Sequence, residues 1–249
     1  MITDIKIRAF RAIDDPETCL RFINGHRRVL SIYGIENITT NTEDWMFNPS
    51  IFVVVVESLD GQKLYGGSRL QCADGIHQLP IEEATGKLDP KIYSIVQEYA
   101  QFGAAELSGL WNSKEVAGLG VGSLFPTRVA IAIASQVGVT NIFSLCSPTT
   151  VRFNEWMGSK IITSVGNNGT FYYPKLDLIA TAVLLEDVSV LPAAHLRERE
   201  KVMYLRNNPT CVVQEKSPFK NVNINVHYDL NIPSARVDEF KLTSNALIQ

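Results

Sequence analysis

The sequence predicts a mixed α/β fold, in which one central sheet is flanked by helices. Three stretches carry this prediction. Ile51 to Glu57 is a continuous β-branched run, and Asp60-Gly61 turns it back into a second strand from Leu64 to Cys72. Ala104 to Gly138 reads as strand, glycine-rich loop and helix. Asn141 to Gly158 then repeats strand and helix, which sets two parallel strands side by side. With 249 residues the chain is long enough for one large core, or for a domain with an extension.

Ile5 to Ala12 is a candidate first strand. Asp15-Pro16-Glu17 has the form of a helix N-cap, and Gly34 supplies the stop. Phe22, His26, Val29 and Tyr33 share one face of that helix, which favours a satisfied, partly buried His26 over a ligand. Residues 36 to 50 are polar and turn-rich, so Trp45, Met46 and Phe47 are expected to pack beneath a loop. Arg69 falls on a strand bound for the sheet, where an unpaired guanidinium is costly. A carboxylate partner is expected, and Glu106 is the candidate. Residues 73 to 89 read as irregular, with Glu82 and Glu83 a solvated pair. Asp89-Pro90 opens a helix through Ile92, Val96 and Tyr99 that stops at Gly103.

The stretch that follows organises the chain. After the strand and the turn at Asn112-Ser113-Lys114 comes Gly118-Leu119-Gly120-Val121-Gly122-Ser123, then a helix with Pro126 in its first turn and Gly138 past its end. Free backbone N–H groups and the positive end of a helix dipole meet there, which suits a phosphate. The loop lacks the Lys-Ser/Thr ending of a nucleoside-triphosphate loop. Phe125 and Ser123 stand where the two possible dinucleotide fingerprints need a third glycine. A dinucleotide oxidoreductase is thereby disfavoured, and a diphosphate site built from backbone remains.

Farther on, Ser147-Pro148 caps a short helix, and Ile161 to Leu185 forms a terminal antiparallel unit around Asn168-Gly169. Ala193 to Arg206 is a charged helix ended by Pro209, and Asn221 to Leu230 alternates as a strand before the tail loses periodicity. The net charge of −3 argues against a generic nucleic-acid binder. No apolar run reaches the roughly 20 residues of a membrane span. The N-terminus has no signal-peptide form, and four cysteines without a C-x-x-C point to a reduced, cytoplasmic protein with no metal site. Cys146 reads as a buried small hydrophobe, and His195 and His227 as surface residues.

The phosphate loop, together with Gly66-Gly67-Ser68-Arg69-Leu70 and Ala105-Glu106-Leu107-Ser108, resembles the GNAT acyltransferase superfamily. The resemblance is closest to its acyl-homoserine-lactone-synthase and long-chain N-acyl amino acid synthase branch. It covers residues 1 to 185, leaving 186 to 249 as a C-terminal extension that packs on the fold or mediates self-association, as in a homodimer. It implies a GNAT-like fold with splayed parallel strands that admit a pantetheine thioester, either acyl-CoA or acyl-carrier protein. The donor's phosphates would then lie on the N–H groups of Leu119, Gly120, Val121, Gly122 and Ser123. Leu110 and Trp111 would hold the arm or polarise the thioester carbonyl, with the oxyanion near Trp111. Glu106 is implied as the base that takes the amine's proton, and Arg69, Ser108 and Asp44 as acceptor contacts. Arg128, Arg152 and Lys160 are expected to flank the slot as docking charges. Gly109 stands where the family has arginine, and Asn154 where many acetyltransferases have a tyrosine acid. These departures motivate the alternative of a catalytically silent acyl-CoA-binding or assembly domain.

Overall fold

A computed structural model describes residues 4–35, 38, 42–218 and 220–233; the predicted loop at 36, 37 and 39–41 and the tail beyond 233 lie outside the described residues. The strands are β1 (Asp4–Arg11), β2 (Ile51–Glu57), β3 (Leu64–Cys72), β4 (Ala104–Asn112) and β5 (Asn141–Cys146), then β6 (Lys160–Ile161), β7 (Thr170–Tyr172), β8 (Ile179–Leu185), β9 (Thr210–Lys216) and β10 (Asn223–Asp229). All belong to one sheet ordered β6-β8-β5-β4-β3-β2-β1-β10-β9, with β7 also on β8. The pairs β1–β10 and β4–β5 are parallel. Every residue of β2 is buried, as a β-branched run between two covered faces requires.

The helices are α1 (Pro16–Ile32), α2 (Pro80–Thr85), α3 (Lys91–Ala100), α4 (Leu124–Ile133), α5 (Pro148–Trp156) and α6 (Leu196–Asn207). On one face of the sheet, Phe22 and Ile23 of α1 pack with Val53, Val55 and Trp111. On the other, α4 packs with Ile5, Phe52, Val54, Leu70 and Leu107. Asp15 caps α1 as expected, its Oδ1 accepting the Thr18 N–H at 3.0 Å.

Three elements differ from the sequence reading. Residues 73 to 89 contain α2, which starts on Pro80 and is anchored by Glu82 accepting the Leu79 N–H at 2.7 Å. The helix after the glycine loop ends at Ile133, and turns carry the chain on to Gly138 at φ +71°. Strand β9 was not foreseen, because its burial alternates over polar side chains at the sheet edge.

Every residue of α4 is buried, since the sheet covers one side and α6 covers another. The chain beyond residue 186 thus closes over the central helix and adds β9 and β10 to the sheet. Arg128 of α4 is fully buried in the seam. Its Nε and Nη2 donate to Glu198 Oε2 at 2.9 and 2.7 Å, and its Nη1 donates to Glu215 Oε1 at 2.9 Å. Lys201 Nζ donates to the other Glu215 oxygen at 2.6 Å. Arg128 is therefore structural and cannot be the exposed docking charge that its place near the slot suggested.

Removing one partner of such a network strands the others without compensation. Arg128→Leu is expected to cost on the order of 3–5 kcal/mol in urea unfolding. Replacing Arg128, Glu198 and Glu215 together by apolar residues should recover most of that loss. A single variant within about 1 kcal/mol of the parent contradicts this account.

Candidate functional site

The site begins with an irregularity in β4. Gly67 of β3 pairs with Trp111 and Arg69 with Ser108, so Ser68 alone opposes Gly109 and Leu110. Gly109 sits at φ +62°, the left-handed bulge conformation that glycine adopts without a Cβ penalty. On its other side, β4 pairs with β5 only through Ala104, Ala105 and Glu106. From Leu107 onward the two parallel strands part, and β5 continues its pairing with β8 instead.

A cavity of about 220 Å³ fills the resulting gap, lined by Glu106, Ser108 and Leu110 from β4, Cys146 from β5, and Thr150 and Asn154 from α5. The Ser113 N–H donates to Tyr65 O on β3 at 2.7 Å. By strand alternation the Trp111 N–H also faces β3, while those of Leu110 and Asn112 face the gap. The Trp111 indole is buried against Phe22 and over Gly25, where a Cβ would lie 2.2 Å from the ring.

The polar side chains of β3 and β4 gather on the α1 side of the sheet. Arg69 Nε donates to Ser108 Oγ at 3.1 Å, and the guanidinium stacks 5.0 Å from the Trp45 ring. Glu106 Oε2 accepts the Ile81 N–H at 2.5 Å. The expected Arg69–Glu106 ion pair is therefore not formed. The register sets Arg69 opposite Ser108 and Glu106 opposite Gln71, so the two charges are staggered along the strands. Burial pushes the Glu106 carboxyl up to about 8, against the pull of the Ile81 N–H and the Arg69 charge. Burial also brings Arg69 down to about 10, with Glu106 and Glu83 opposing. Arg69 Nη1 and Trp45 Nε1 are buried with no hydrogen-bond partner among the described residues.

Asp44 opens a short 3₁₀ turn, Asp44–Phe47, and lines a second cavity of about 480 Å³ with Trp45, Arg69, Gln71 and Glu83. Ser108 lines the first cavity, so the Arg69–Ser108 bond links the walls of the two. Trp45 is buried as expected, whereas Phe47 is exposed.

Two residues that the sequence reading did not place here also line the first cavity, His26 and Tyr173. His26 is buried with its Nδ1 unpartnered among the described residues, not satisfied as its helical stripe suggested. Burial, then the Arg69 charge, lowers its pKa to about 4, so the imidazole is neutral at pH 7. The missed signal was that α1 crosses the polar patch of β3 and β4, which periodicity along one helix does not report. Cys146 is buried, accepts from Asn154 Nδ2 at 3.1 Å, and has its thiol pushed up to about 12 by burial. It is a poor nucleophile there.

The glycine loop sits at the end of β4. Gly122 lies against Asn112, where a Cβ would meet the Asn112 Cβ at 2.2 Å. Pro218 packs on Gly120, and Ser217 Oγ donates to Gly118 O at 3.0 Å. The N–H groups of Leu119, Ser123 and Phe125 are used within the loop. Those of Gly120, Val121, Gly122 and Leu124 have no acceptor among the described residues. Among the described residues no group of three or more His, Cys, Asp or Glu is placed to hold a metal, and no helix is long and apolar enough to cross a membrane.

A bulged β4, a parallel neighbour that splays from it and a glycine loop leading into a helix define the GNAT-type acyltransferase fold. Comparison with solved structures agrees. FeeM, an N-acyl amino acid synthase from uncultured soil microbes, superposes with a TM-score of 0.58 at 15% identity, covering 79% of this chain and 97% of its own. BjaI, a CoA-dependent acyl-homoserine lactone synthase, reaches 0.53 at 12% identity over 95% and 98%. MesI, also a CoA-dependent acyl-homoserine lactone synthase, reaches 0.50 at 16% identity over 81% and 95%. No protein-family model and no curated protein matches the sequence.

The raised Glu106 pKa has a measurable consequence for stability. The folded carboxyl holds its proton to about pH 8, whereas an unfolded one releases it near 4.3. The group's contribution is therefore complete below about pH 4.3 and is lost as pH rises through about 8. The stability of Glu106→Gln relative to the parent should climb across that interval in urea titrations at stepped pH. A difference that stays flat with pH contradicts the buried-acid assignment.

Proposed function

We propose that the protein is an N-acyltransferase that moves an acyl group from a pantetheine thioester to the amine of a small carboxylate-bearing acceptor, such as an amino acid. The observation that carries this reading is the gap between β4 and β5. It is open from Leu107 and lined by a buried carboxyl, and the loop that follows β4 carries unused backbone donors among the described residues.

The donor arm enters the gap with its phosphates toward the unused amides of Gly120, Val121, Gly122 and Leu124, where helix-dipole and N–H partial charges favour an anion. The Leu110 N–H, which strand alternation turns toward the gap, is our choice for the thioester oxygen. A donor so placed acts mainly once charge develops on that oxygen. The acceptor nitrogen attacks the thioester carbon, and its proton passes to the Glu106 carboxylate directly or through water. The C–S bond breaks and the thiolate leaves. With a thiol pKa of about 8.5, it is a competent leaving group without a strong acid beside it. Asn154, Thr150 and Tyr173 line the cavity where the sulfur departs. Arg69 is our choice for the acceptor carboxylate. Its Nη1 is a buried donor without a partner among the described residues, which is costly unless a ligand completes it.

A catalytically silent acyl-CoA-binding domain is the second reading, favoured by one observation: Glu106 is already engaged by the Ile81 N–H. Thiol release from acyl-CoA donors of several lengths, tested with a panel of amino acids, separates the two. We expect turnover that rises with pH through about 8 as Glu106 ionises. Glu106→Gln should lose roughly 100-fold or more in kcat while still binding CoA. Arg69→Met should raise the acceptor KM more than tenfold. CoA binding without thiol release for any acceptor supports the silent domain, and full activity in Glu106→Gln removes that residue from the mechanism.

A further inference from the structure

The gap leaves a larger cavity unexplained. About 690 Å³ of space opens beside Leu124, the first residue of α4. Its wall includes Trp156 at the end of α5, His195, Arg197 and Lys201 around the start of α6, and Lys216 at the end of β9. All of these except Leu124 and Trp156 come from the segment beyond residue 186, which the sequence reading gave only as an extension for packing or self-association.

Charge and shape both select an occupant. The wall carboxylate Glu198 is committed to Arg128, and Glu215 behind it is shared between Arg128 and Lys201. Four cations, Arg128, Arg197, Lys201 and Lys216, therefore stand against two carboxylates, which leaves a cationic surface. Trp156 is half exposed, its indole 5.9 Å from the His195 ring and tilted by 44°. It offers a flat aromatic face beside that charge, which suits a nucleobase with phosphate attached.

Position connects the two cavities. Thr127 of α4 lines the gap and Leu124 of the same helix lines the larger cavity. On α5, Thr150 and Asn154 line the first and Trp156 the second. The amides of Gly120, Val121 and Gly122, unused among the described residues, immediately precede Leu124.

We propose that this cavity receives the phosphorylated adenosine end of an acyl-CoA donor, so that the C-terminal segment selects free CoA thioesters over carrier-protein thioesters. The inference rests on the acyl-transfer reading above. A carrier protein presents the same pantetheine arm but no nucleotide, so only CoA would engage Trp156, Arg197 and Lys216.

Calorimetric binding of CoA, dephospho-CoA and 4′-phosphopantetheine to the full chain tests it. CoA should bind at least tenfold more tightly than either of the others. Arg197 and Lys216 are exposed and make no ion pair among the described residues, so charge reversal there should leave the fold intact, which circular dichroism checks. In Arg197→Glu/Lys216→Glu, CoA should fall to the affinity of dephospho-CoA, with 4′-phosphopantetheine unchanged. Equal affinity of the native protein for CoA and 4′-phosphopantetheine, or a CoA advantage that survives both substitutions, overturns the inference alone. Failure of every pantetheine compound to bind overturns the donor slot as well, and with it the proposed function.

Discussion

The arrangement depends on one constraint: β4 pairs with β3 along its length but can keep β5 for only three residues. The bulge at Gly109 is where this is decided. One extra residue on β4 turns the strand, and a left-handed φ makes glycine the residue that adopts the turn without strain. The unpaired edge beyond Glu106 is not left to water. It becomes a cavity wall whose amides are available to a ligand, and that is the usual way for irregular sheet geometry to acquire chemistry.

Around that opening the protein keeps polar groups in places where they are expensive. Arg69, Glu106 and His26 are all buried within one patch, and none makes an ion pair among the described residues. Arg69 satisfies one nitrogen on Ser108, and Glu106 relieves its burial by holding a proton. A fold tolerates such a patch when a ligand completes it or when the surroundings are rigid. Rigidity here comes from the sheet beneath and from the Arg128–Glu198–Glu215 clamp on the far face. That clamp fixes α4, and so the loop that leads into it.

Much of this was legible in the residues. The β-branched run of β2, the Asp15 cap, the glycine loop and the order of the central strands follow from local patterns whose physical cause is local. Motif order singled out Arg69, Glu106, Ser108 and Asp44, and the structure divides them between two cavities: Glu106 and Ser108 line the first, Asp44 and Arg69 the second. What could not be read was anything set by register or by distant packing. Whether Arg69 meets Glu106 or Ser108 depends on a stagger of two residues between strands. Likewise, His26 looked like core because a helical stripe does not say what lies opposite it. The buried state of Arg128 needed α6 and β9, two elements more than 65 residues away in sequence. One signal was present and passed over: Leu124 to Ile133 is apolar almost all round, the mark of a helix covered on every side, and it foretold that the C-terminal segment closes over it.

A crystal structure with a non-hydrolysable acyl-CoA thioether tests the central claim most directly. The account predicts the sulfur in the gap between β4 and β5, the acyl oxygen within hydrogen-bond reach of the Leu110 N–H, and the diphosphate on the amides of Gly120, Val121, Gly122 and Leu124. A donor bound elsewhere, with β4 and β5 unchanged and the gap filled by the protein's own side chains, would contradict it.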